Sequence, residues 1–323
     1  MVAPSSSLRT RPPSELLESA RAGDRAALGR LLSLVERGGP AAREVGRLCF
    51  AAGQAEHVVG ITGAPGAGKS TLTDRLITEA RAGGSAVGVL AVDPSSPYSG
   101  GAILGDRIRM QGHALDDGVF VRSMATRGHL GGLALAAPEA IRVLAATGRP
   151  LVLVETVGVG QVEVEIAGAA DTTVVVVNPG WGDAVQAAKA GLLEVADVFV
   201  VNKADRPGAE EARRDLESML DMSTGGGGWR PPVVMTSAAA GEGVDRLWSE
   251  LGRHRAHLSS TGELVRRRER RLLEELRRVL ISQIEQDIRA TESGTTWDRV
   301  TGLLLERRID PYEAAGELLG AGS

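Results

Sequence analysis

Cysteine, lysine and aromatic residues are scarce in this chain of 323 residues. The single cysteine, Cys49, excludes an intrachain disulfide framework and any metal site built from clustered cysteines. No apolar run reaches the roughly 18 residues of a membrane helix, and the N-terminus lacks the apolar core of a secretory signal. A net charge of -4 argues against general nucleic-acid binding. We therefore expect a cytoplasmic protein with neither nucleic-acid nor membrane partners.

The length indicates one large domain with extensions, or two domains, rather than a single compact domain. Hydrophobic residues make up 43% and charged residues 24%, which is ordinary globular usage and excludes a mostly disordered chain. We predict a helical extension over 1–55, a central domain over 56–257 and a helical dimerisation arm over 258–323.

The central part of the chain alternates short apolar segments with helical segments. Their nearly continuous apolarity predicts strands covered on both faces, as in a parallel sheet, and the alternation predicts a doubly wound α/β domain with a mostly parallel sheet. Ligands of such domains lie beyond the carboxyl ends of the strands. The predicted strands are HVVGI (57–61), AVGVLAV (86–92), VFVRS (119–123), LVLVE (151–155), TTVVVV (172–177), VFVVN (198–202) and PVVMT (232–236).

Residues 63–70, GAPGAGKS, match the phosphate-loop pattern G-x-x-x-x-G-K-[ST] between a predicted strand and a predicted helix. The glycines let backbone N–H groups turn toward phosphates, and the helix N-terminus adds its dipole. Lys69 is predicted to reach the β- and γ-phosphates and Ser70 to ligate Mg²⁺. The pattern predicts a P-loop NTPase domain. The predicted phosphate-binding residues are Gly63, Ala64, Pro65, Gly66, Ala67, Gly68, Lys69, Ser70 and Thr71.

Asn202-Lys203-Ala204-Asp205 forms an N-K-x-D pattern at the end of a predicted strand. The Asp205 carboxylate is suited to accept hydrogen bonds from guanine N1–H and N2–H₂, donors that adenine does not have. Asn202 is expected to brace the loop or reach N7, and the stem of Lys203 to cover the purine face. Ser237 and Ala238, after the next strand, are expected to offer a backbone N–H to guanine O6. We therefore predict guanine selectivity.

The segment after LVLVE, Glu155-Thr156-Val157-Gly158, places an acidic residue three positions before a glycine. This layout predicts a carboxylate near Mg²⁺, acting through water or in switching, and a glycine N–H at the γ-phosphate. Val159 stands where GTPases of the Ras type have a water-orienting Gln, so we predict slow intrinsic hydrolysis, with Gln161 serving after rearrangement.

Two acid-containing loops and a third segment complete the candidate site. Asp93 and Asp106 are candidate Mg²⁺ ligands, and Arg107 or Arg109 could offset phosphoryl charge. Turn carboxylates and helix-surface arginines are an equally good interpretation of these residues. All three lysines of the chain, Lys69, Lys189 and Lys203, fall in or beside the predicted nucleotide loops. The predicted catalytic residues are Lys69, Asp93, Asp106, Arg109, Glu155 and Gly158, the metal ligands Ser70, Asp93, Asp106 and Glu155, and the switch residues Gln161, Asp183 and Lys189.

The C-terminal region is predicted to contain a long amphipathic helix from about residue 263 to 288. Its apolar face indicates an oligomerisation arm. The arginine cluster near its start has interleaved glutamates and is interpreted as a solvated face. The apolar face comprises Leu273, Leu276, Leu280, Ile284 and Ile288, and the cluster comprises Arg266, Arg267, Arg268, Arg270 and Arg271.

Five sequence segments together resemble the MeaB/ArgK group of P-loop GTPases, the chaperones of methylmalonyl-CoA mutase. The segments are GITGAPGAGKSTL, VDPSSPYSGGAILGDRIRM, FVRSMATRGHLGGLA, ETVGVGQVEVEIA and VNKAD. The resemblance implies a Mg²⁺-dependent, homodimeric GTPase joined by its C-terminal arm. It implies a B12-dependent acyl-CoA mutase as client, whose adenosylcobalamin loading is guarded and whose damaged cofactor is removed, with an adenosyltransferase as a second candidate partner. It also implies switch segments around 93–109, 155–161 and 178–189.

Three other functions remain open at this point. A nickel-delivery GTPase would need clustered Cys and His, whereas His254 and His257 are interpreted as helix-surface residues. A kinase or ATPase of amino-acid transport would need adenine, which Asp205 disfavours. A scaffold that binds GTP without hydrolysing it would show no turnover.

Overall fold

The computed structural model describes residues 7–94, 111–126, 132–156, 168–180, 195–223 and 228–320. The chain divides into two compact units, Met1–Arg271 and Leu272–Ser323. The first unit contains the sheet and the helices around it. The second contains the remainder of a long helix and two shorter helices. The predicted domain boundaries after residues 55 and 257 stay predictions.

A seven-stranded parallel sheet forms the centre of the first unit. Its strand order is β3-β2-β4-β1-β5-β6-β7, so the chain winds outward from β1 in both directions. The predicted α/β class is confirmed, and all seven predicted segments form strands. The strands are β1 (His57–Gly63), β2 (Val87–Pro94), β3 (Val119–Thr126), β4 (Leu151–Thr156), β5 (Thr172–Val177), β6 (Val198–Asn202) and β7 (Val233–Thr236).

The helices are numbered in chain order among the described residues. They are α1 (Ser7–Thr10), α2 (Pro13–Arg21), α3 (Arg25–Arg37), α4 (Gly39–Phe50), α5 (Lys69–Ala82), α6 (Gly132–Ala146), α7 (Ala209–Ser223), α8 (Val244–Ser260), α9 (Glu263–Thr291), α10 (Thr295–Leu305) and α11 (Pro311–Gly320). Asp24 begins α3 as its N-cap, because its carboxylate accepts from the N–H groups of Ala26 and Ala27. None of the helices in the described residues is both long enough and apolar enough to cross a bilayer.

The N-terminal helices belong to the core on one sheet face. Leu16, Leu28 and Leu32 are fully buried and share one apolar cluster with Leu90 and Val154 of the sheet. Each such leucine contributes about 1.5–3 kcal/mol on burial. The opposite face is covered by α5 and α8 through a second apolar cluster. Both faces are therefore dry, which explains the nearly continuous apolarity of the strands.

At the amino edge of the sheet, two buried aspartates hold the start of α9. Asp171, which precedes β5, pairs with Arg268 at 2.6 Å and also with Arg271. Asp197, which precedes β6, accepts two hydrogen bonds from Arg267, each of 3.0 Å. The interpretation of the arginine cluster as a solvated face is therefore wrong for these three arginines, because each forms an ion pair with a buried carboxylate.

A chain of buried polar side chains lies beside these ion pairs. Thr172 Oγ1 lies 2.8 Å from His57 Nε2 and 2.8 Å from His254 Nδ1. His254 is fully buried, and its Nε2 lies 3.3 Å from Asp197 Oδ1. The prediction that His254 lies on a helix surface is wrong, because this face of α8 packs on the amino edge of the sheet.

Candidate nucleotide site

The candidate site lies at the carboxyl edge of the sheet, where the strand order brings separate sequence segments together. The phosphate loop follows the central strand β1, and Glu155 and Thr156 end its neighbour β4. On the other side, β6 ends at Asn202 and β7 at Thr236, which are paired in register. This edge is the one where parallel α/β sheets bind ligands.

Glycine is required at two positions of the phosphate loop. Gly63 has φ of 134°, and a Cβ there would lie 2.0 Å from the carbonyl oxygen of Val176 on β5. Gly68 has φ of 95°, and its Cβ would lie 2.3 Å from Nδ2 of Asn202. A side chain at either residue would force the loop away from β5 or β6. The loop is thus pressed against the strands that follow it in the sheet.

Two lysines bond to carbonyl groups of this loop. The Nζ of Lys69, the first residue of α5, donates to the carbonyl oxygens of Gly63 at 2.5 Å and Ala64 at 3.0 Å. The Nζ of Lys203 donates to the carbonyl oxygen of Gly66 at 2.6 Å. Lys203 has φ of 59°, a left-handed conformation that only tertiary contacts stabilise in a lysine. Both ammonium groups therefore lie next to the loop that is predicted to bind phosphates.

Ser70 and Glu155 meet in a buried pair. The Ser70 hydroxyl donates to Oε1 of Glu155 at 2.6 Å, and Glu155 is only 1% exposed. Nearby, the Thr156 hydroxyl donates to the Thr62 hydroxyl at 3.1 Å. A hydroxyl and a carboxylate are hard oxygen donors of the kind that Mg²⁺ prefers. The two predicted metal ligands are thus in direct contact, and their chemistry fits the ion.

Asn202 connects the phosphate loop to the loop after β7. Its Nδ2 donates to the carbonyl oxygen of Ala67 at 2.8 Å. Its Oδ1 accepts from the Thr236 hydroxyl and from the N–H of Ala238, both at 3.1 Å. The side chain is buried, so these bonds satisfy its amide in a site that water does not reach. Of the two roles expected for Asn202, the structure has the bracing one.

Asp205 is exposed at the surface of the same edge. Its Oδ1 accepts from the Ser237 hydroxyl at 2.8 Å. This hydrogen bond, with smaller contributions from its own backbone N–H and from Arg206 and Lys203, lowers the pKa of Asp205 below its usual value. The carboxylate is therefore ionised, held in one orientation and open to a base with two N–H donors.

The backbone donors expected for guanine O6 are engaged. The N–H of Ala238 donates to Asn202, and that of Ser237 donates to the carbonyl oxygen of Glu242 at 3.0 Å. The next amide, of the exposed Ala239, donates no hydrogen bond within the described parts of the chain.

Arg75 is a residue of this site that motif reasoning missed. It lies on α5 and donates to the carbonyl oxygens of Ala238 and Ala239. No spacing rule pairs a helix-surface arginine with a loop more than 160 positions away, so its partners could not be found before the fold was known.

Several predicted residues fall on segments that lie outside the described residues. These are Asp106, Arg107, Arg109, Gly158, Gln161, Asp183 and Lys189. For Asp93 the backbone is described. It lies at the carboxyl end of β2, paired with Ala125 of β3.

Comparison with known proteins identifies the family. The family model described as methylmalonyl Co-A mutase-associated GTPase MeaB matches residues 28–293. The chain belongs to the MeaB family. This assignment confirms the resemblance found in the sequence, and it makes the chain a member of a family of P-loop GTPases.

Individual relatives of this MeaB-family chain agree with the assignment. GTPase ArgK of Escherichia coli is 35% identical over 306 residues, covering 91% of each chain. A protein of Pyrococcus abyssi named as a candidate GTPase is 48% identical over 315 residues, covering 95% of this chain and 97% of its own. The crystal structure of a LAO/AO transport system kinase superposes with a TM-score of 0.69 at 27% identity, covering 99% of each chain.

Proposed function

We propose that this MeaB-family GTPase binds and hydrolyses GTP with Mg²⁺ and acts as a chaperone of a B12-dependent acyl-CoA mutase of the methylmalonyl-CoA mutase type. It would gate adenosylcobalamin loading and protect the mutase. The family name supports the mutase as partner. The chain's own residues support the nucleotide.

One observation carries the nucleotide part of the proposal. Asn202 bonds to the phosphate loop through one end of its amide and to the loop after β7 through the other. This bridge keeps the phosphate-binding and base-binding loops at a fixed distance. Asp205, which is ionised and oriented by Ser237, would then accept hydrogen bonds from the Watson–Crick edge of the base. Guanine offers two donors to this carboxylate, whereas adenine would leave it unpaired.

Hydrolysis is assigned to residues of the phosphate loop and β4. Lys69 would exchange its carbonyl partners for phosphate oxygens and neutralise the charge that develops on the leaving phosphates. Ser70 and Glu155 would hold Mg²⁺, either directly or through water, and the ion would neutralise further phosphate charge. Slow turnover without a partner remains a proposal that rests on Val159. The proposed switch residues Gln161, Asp183 and Lys189 lie in segments that would order around the γ-phosphate.

Dimerisation through the arm is part of the proposal. The apolar face predicted on α9 is exposed, with Leu273 at 59%, Leu276 at 53% and Ile284 at 57% of their surface accessible. A helix with a continuous apolar stripe is stabilised when that stripe is buried against another surface. A second copy of the chain would supply such a surface.

The kinase alternative comes from the name of the solved neighbour, LAO/AO transport system kinase. A kinase would transfer the γ-phosphoryl group to an acceptor other than water. The test uses GTP that is labelled on its γ-phosphate. Release of all label as inorganic phosphate supports the GTPase, whereas label on an amino acid or a protein supports the kinase.

The proposal is tested by measuring GTP turnover with and without candidate mutases. We expect slow hydrolysis by the protein alone and faster hydrolysis with the methylmalonyl-CoA or isobutyryl-CoA mutase that co-purifies with it. The Lys69→Ala protein with the same mutase is the matched control, and its turnover should be lower by about 10³-fold. Unchanged turnover with every B12-dependent acyl-CoA mutase, together with no co-purification, would contradict the chaperone role.

A further inference from the structure

We propose that Arg75 is a specificity-determining positioning residue, which orients the loop after β7 so that the N–H of Ala239 reads the six-position oxygen of guanine. The inference rests on the proposed guanine-nucleotide function. It assigns a role to a residue that belongs to neither nucleotide motif.

The first observation is a two-point hydrogen bond from helix to loop. Nε of Arg75 donates to the carbonyl oxygen of Ala238 at 3.0 Å, and Nη2 donates to that of Ala239 at 2.9 Å. Arg75 lies on α5, less than two turns after Ser70, so the helix that follows the phosphate loop also holds the base loop. A planar guanidinium can make two such bonds from one rigid group, which a lysine cannot do.

The second observation concerns the peptide groups that Arg75 holds. In a trans peptide the C=O of one residue and the N–H of the next point in opposite directions. When Arg75 attracts the carbonyl of Ala238 to one side, the N–H of Ala239 is turned to the other side. The bond to the Ala239 carbonyl fixes the next peptide plane in the same way. Arg75 therefore determines where this N–H points without touching a ligand.

The third observation is that the neighbouring donors are taken. The N–H of Ser237 donates to the carbonyl oxygen of Glu242, and the N–H of Ala238 donates to Oδ1 of Asn202. The loop itself is closed by a bond from the N–H of Gly241 to the carbonyl oxygen of Ala238 at 3.3 Å. The Ala239 N–H donates no hydrogen bond within the described ranges, and its residue is exposed. The N–H of Ala240, which is also exposed, likewise donates none within these ranges, so both groups remain open to an incoming base. The N–H of Ala239 is the one that belongs to the peptide whose carbonyl oxygen accepts from Nε of Arg75.

The donors and the acceptor on the Watson–Crick edge of guanine are then recognised by different groups. Asp205 accepts from the one- and two-position donors, and the amide held by Arg75 donates to the six-position oxygen. A base analogue can remove either contact separately. Inosine diphosphate lacks the two-amino group, and 6-thioguanosine diphosphate replaces the oxygen with sulfur, a weaker acceptor. The diphosphates also avoid turnover during the measurement.

The experiment measures dissociation constants of GDP, inosine diphosphate and 6-thioguanosine diphosphate by calorimetry. The proteins are the wild type, Arg75→Ala, Arg75→Lys and the matched control Arg81→Ala. Arg81 lies on the same helix but pairs with Asp116 and the Ser85 carbonyl, away from the base loop. Thermal unfolding establishes that each variant is folded, and Arg75→Lys, which keeps the charge and the helix propensity, serves if Arg75→Ala does not fold.

We expect the wild type to prefer GDP over the thio analogue by about 3- to 10-fold, the range of one neutral hydrogen bond. In Arg75→Ala this ratio should fall toward 1, while the preference for GDP over inosine diphosphate stays unchanged. The ratio for Arg75→Lys should lie between those of the wild type and Arg75→Ala, and the ratio for Arg81→Ala should equal that of the wild type.

Three results would overturn the inference. In the first, the preference for GDP over the thio analogue is the same in Arg75→Ala and in the wild type. In the second, the preferences for GDP over the thio analogue and over inosine diphosphate fall together, as general loosening of the loop would produce. In the third, the wild type itself shows no preference for GDP over the thio analogue. In all three cases a wild-type preference for GDP over ADP would leave the guanine site intact. Absence of that preference would instead show that the proposed function itself is wrong.

Discussion

The two edges of the sheet treat their polar groups in opposite ways. At the amino edge, Asp171 and Asp197 are buried, and each carboxylate is paired with arginine from α9. At the carboxyl edge, Lys69 and Lys203 donate to backbone carbonyls of the phosphate loop, and Asp205 is exposed. The carboxylates at the amino edge are therefore neutralised by arginine side chains of the same chain.

The difference separates the groups that stabilise the fold from those that can accept a ligand. A buried carboxylate must keep its arginine partners, because losing one leaves an uncompensated charge. An ammonium group on a carbonyl can exchange that partner for a phosphate oxygen at little cost, since phosphate is the stronger acceptor. Substitutions at the carboxyl edge should therefore change binding and turnover, and substitutions at the amino edge should change stability.

The largest effect is expected from Asp205→Asn. The amide presents one acceptor oxygen, and its NH₂ group would face one of the two guanine N–H donors, so affinity for GTP should fall by about 10⁴-fold. Xanthosine triphosphate, whose two-position oxygen suits the amide donor, should bind better than to the wild type. Calorimetry with both nucleotides measures the change. Retained GTP affinity in the variant would show that this carboxylate does not face the base.

Lys69→Ala comes next. Removing an ammonium group from the transferring phosphates should lower kcat for GTP by about 10³-fold, while the melting temperature changes little. Phosphate release and thermal unfolding are measured on the same preparation. A variant that unfolds early but hydrolyses GTP at the wild-type rate would assign this lysine to the fold instead.

Asp171→Asn should have the opposite pattern. The change leaves Arg268 and Arg271 without their carboxylate and should lower the free energy of unfolding by about 3 kcal/mol, with nucleotide affinity retained. The control is Glu56→Gln, which breaks the exposed pair between Arg255 and Glu56 and should cost less than about 1 kcal/mol. Urea unfolding compares them. Equal costs would mean that burial at the amino edge is not decisive.

Lowering the pH should lower the free energy of unfolding, because His57 is buried at the amino edge of the sheet. Burial lowers the pKa of this imidazole to about 4, and Asp171 opposes the shift. The unfolded state therefore binds a proton first, and stability should fall as pH drops from about 6.5 to about 4, by about 2 kcal/mol at pH 5. His57→Gln should lose this dependence. The check is the change in unfolding free energy between pH 7 and pH 5 in both proteins.

Asp171 and Asp197 should add a further loss below that range. Burial alone would raise the pKa of each, but hydrogen bonds and charges outweigh it, from Arg268 and Arg271 at Asp171 and from His254 and Arg267 at Asp197. Both pKa values lie below the usual value, so their stabilisation is present above about pH 4 and is lost as pH falls through the folded-state values.

Much of the fold and half of the site could be predicted from the sequence. The seven strands are apolar on both faces, so their composition alone identified them. The glycines and Lys69 of the phosphate loop, and Asn202 with Asp205, follow local patterns whose chemistry depends on short spacing. Glu155 was expected near the metal, and it accepts a hydrogen bond from Ser70, the other expected ligand. Its role toward a metal stays a prediction.

The remainder depends on contacts between distant segments. The pairing of Arg268 with Asp171, or of Arg75 with Ala238, joins residues about a hundred positions or more apart, and no local pattern specifies it. Isolated arginines and a histidine on a helix resemble solvated residues until the helix is docked. This is why the arginine cluster and His254 were assigned to the surface.

The central claim is that one edge of the sheet binds a guanine nucleotide through Lys69 and Asp205. Calorimetric titration of the wild-type protein with GDP and with ADP tests it most directly. The account predicts that GDP binds at least about 100-fold more tightly than ADP. Equal affinities for the two nucleotides would contradict it.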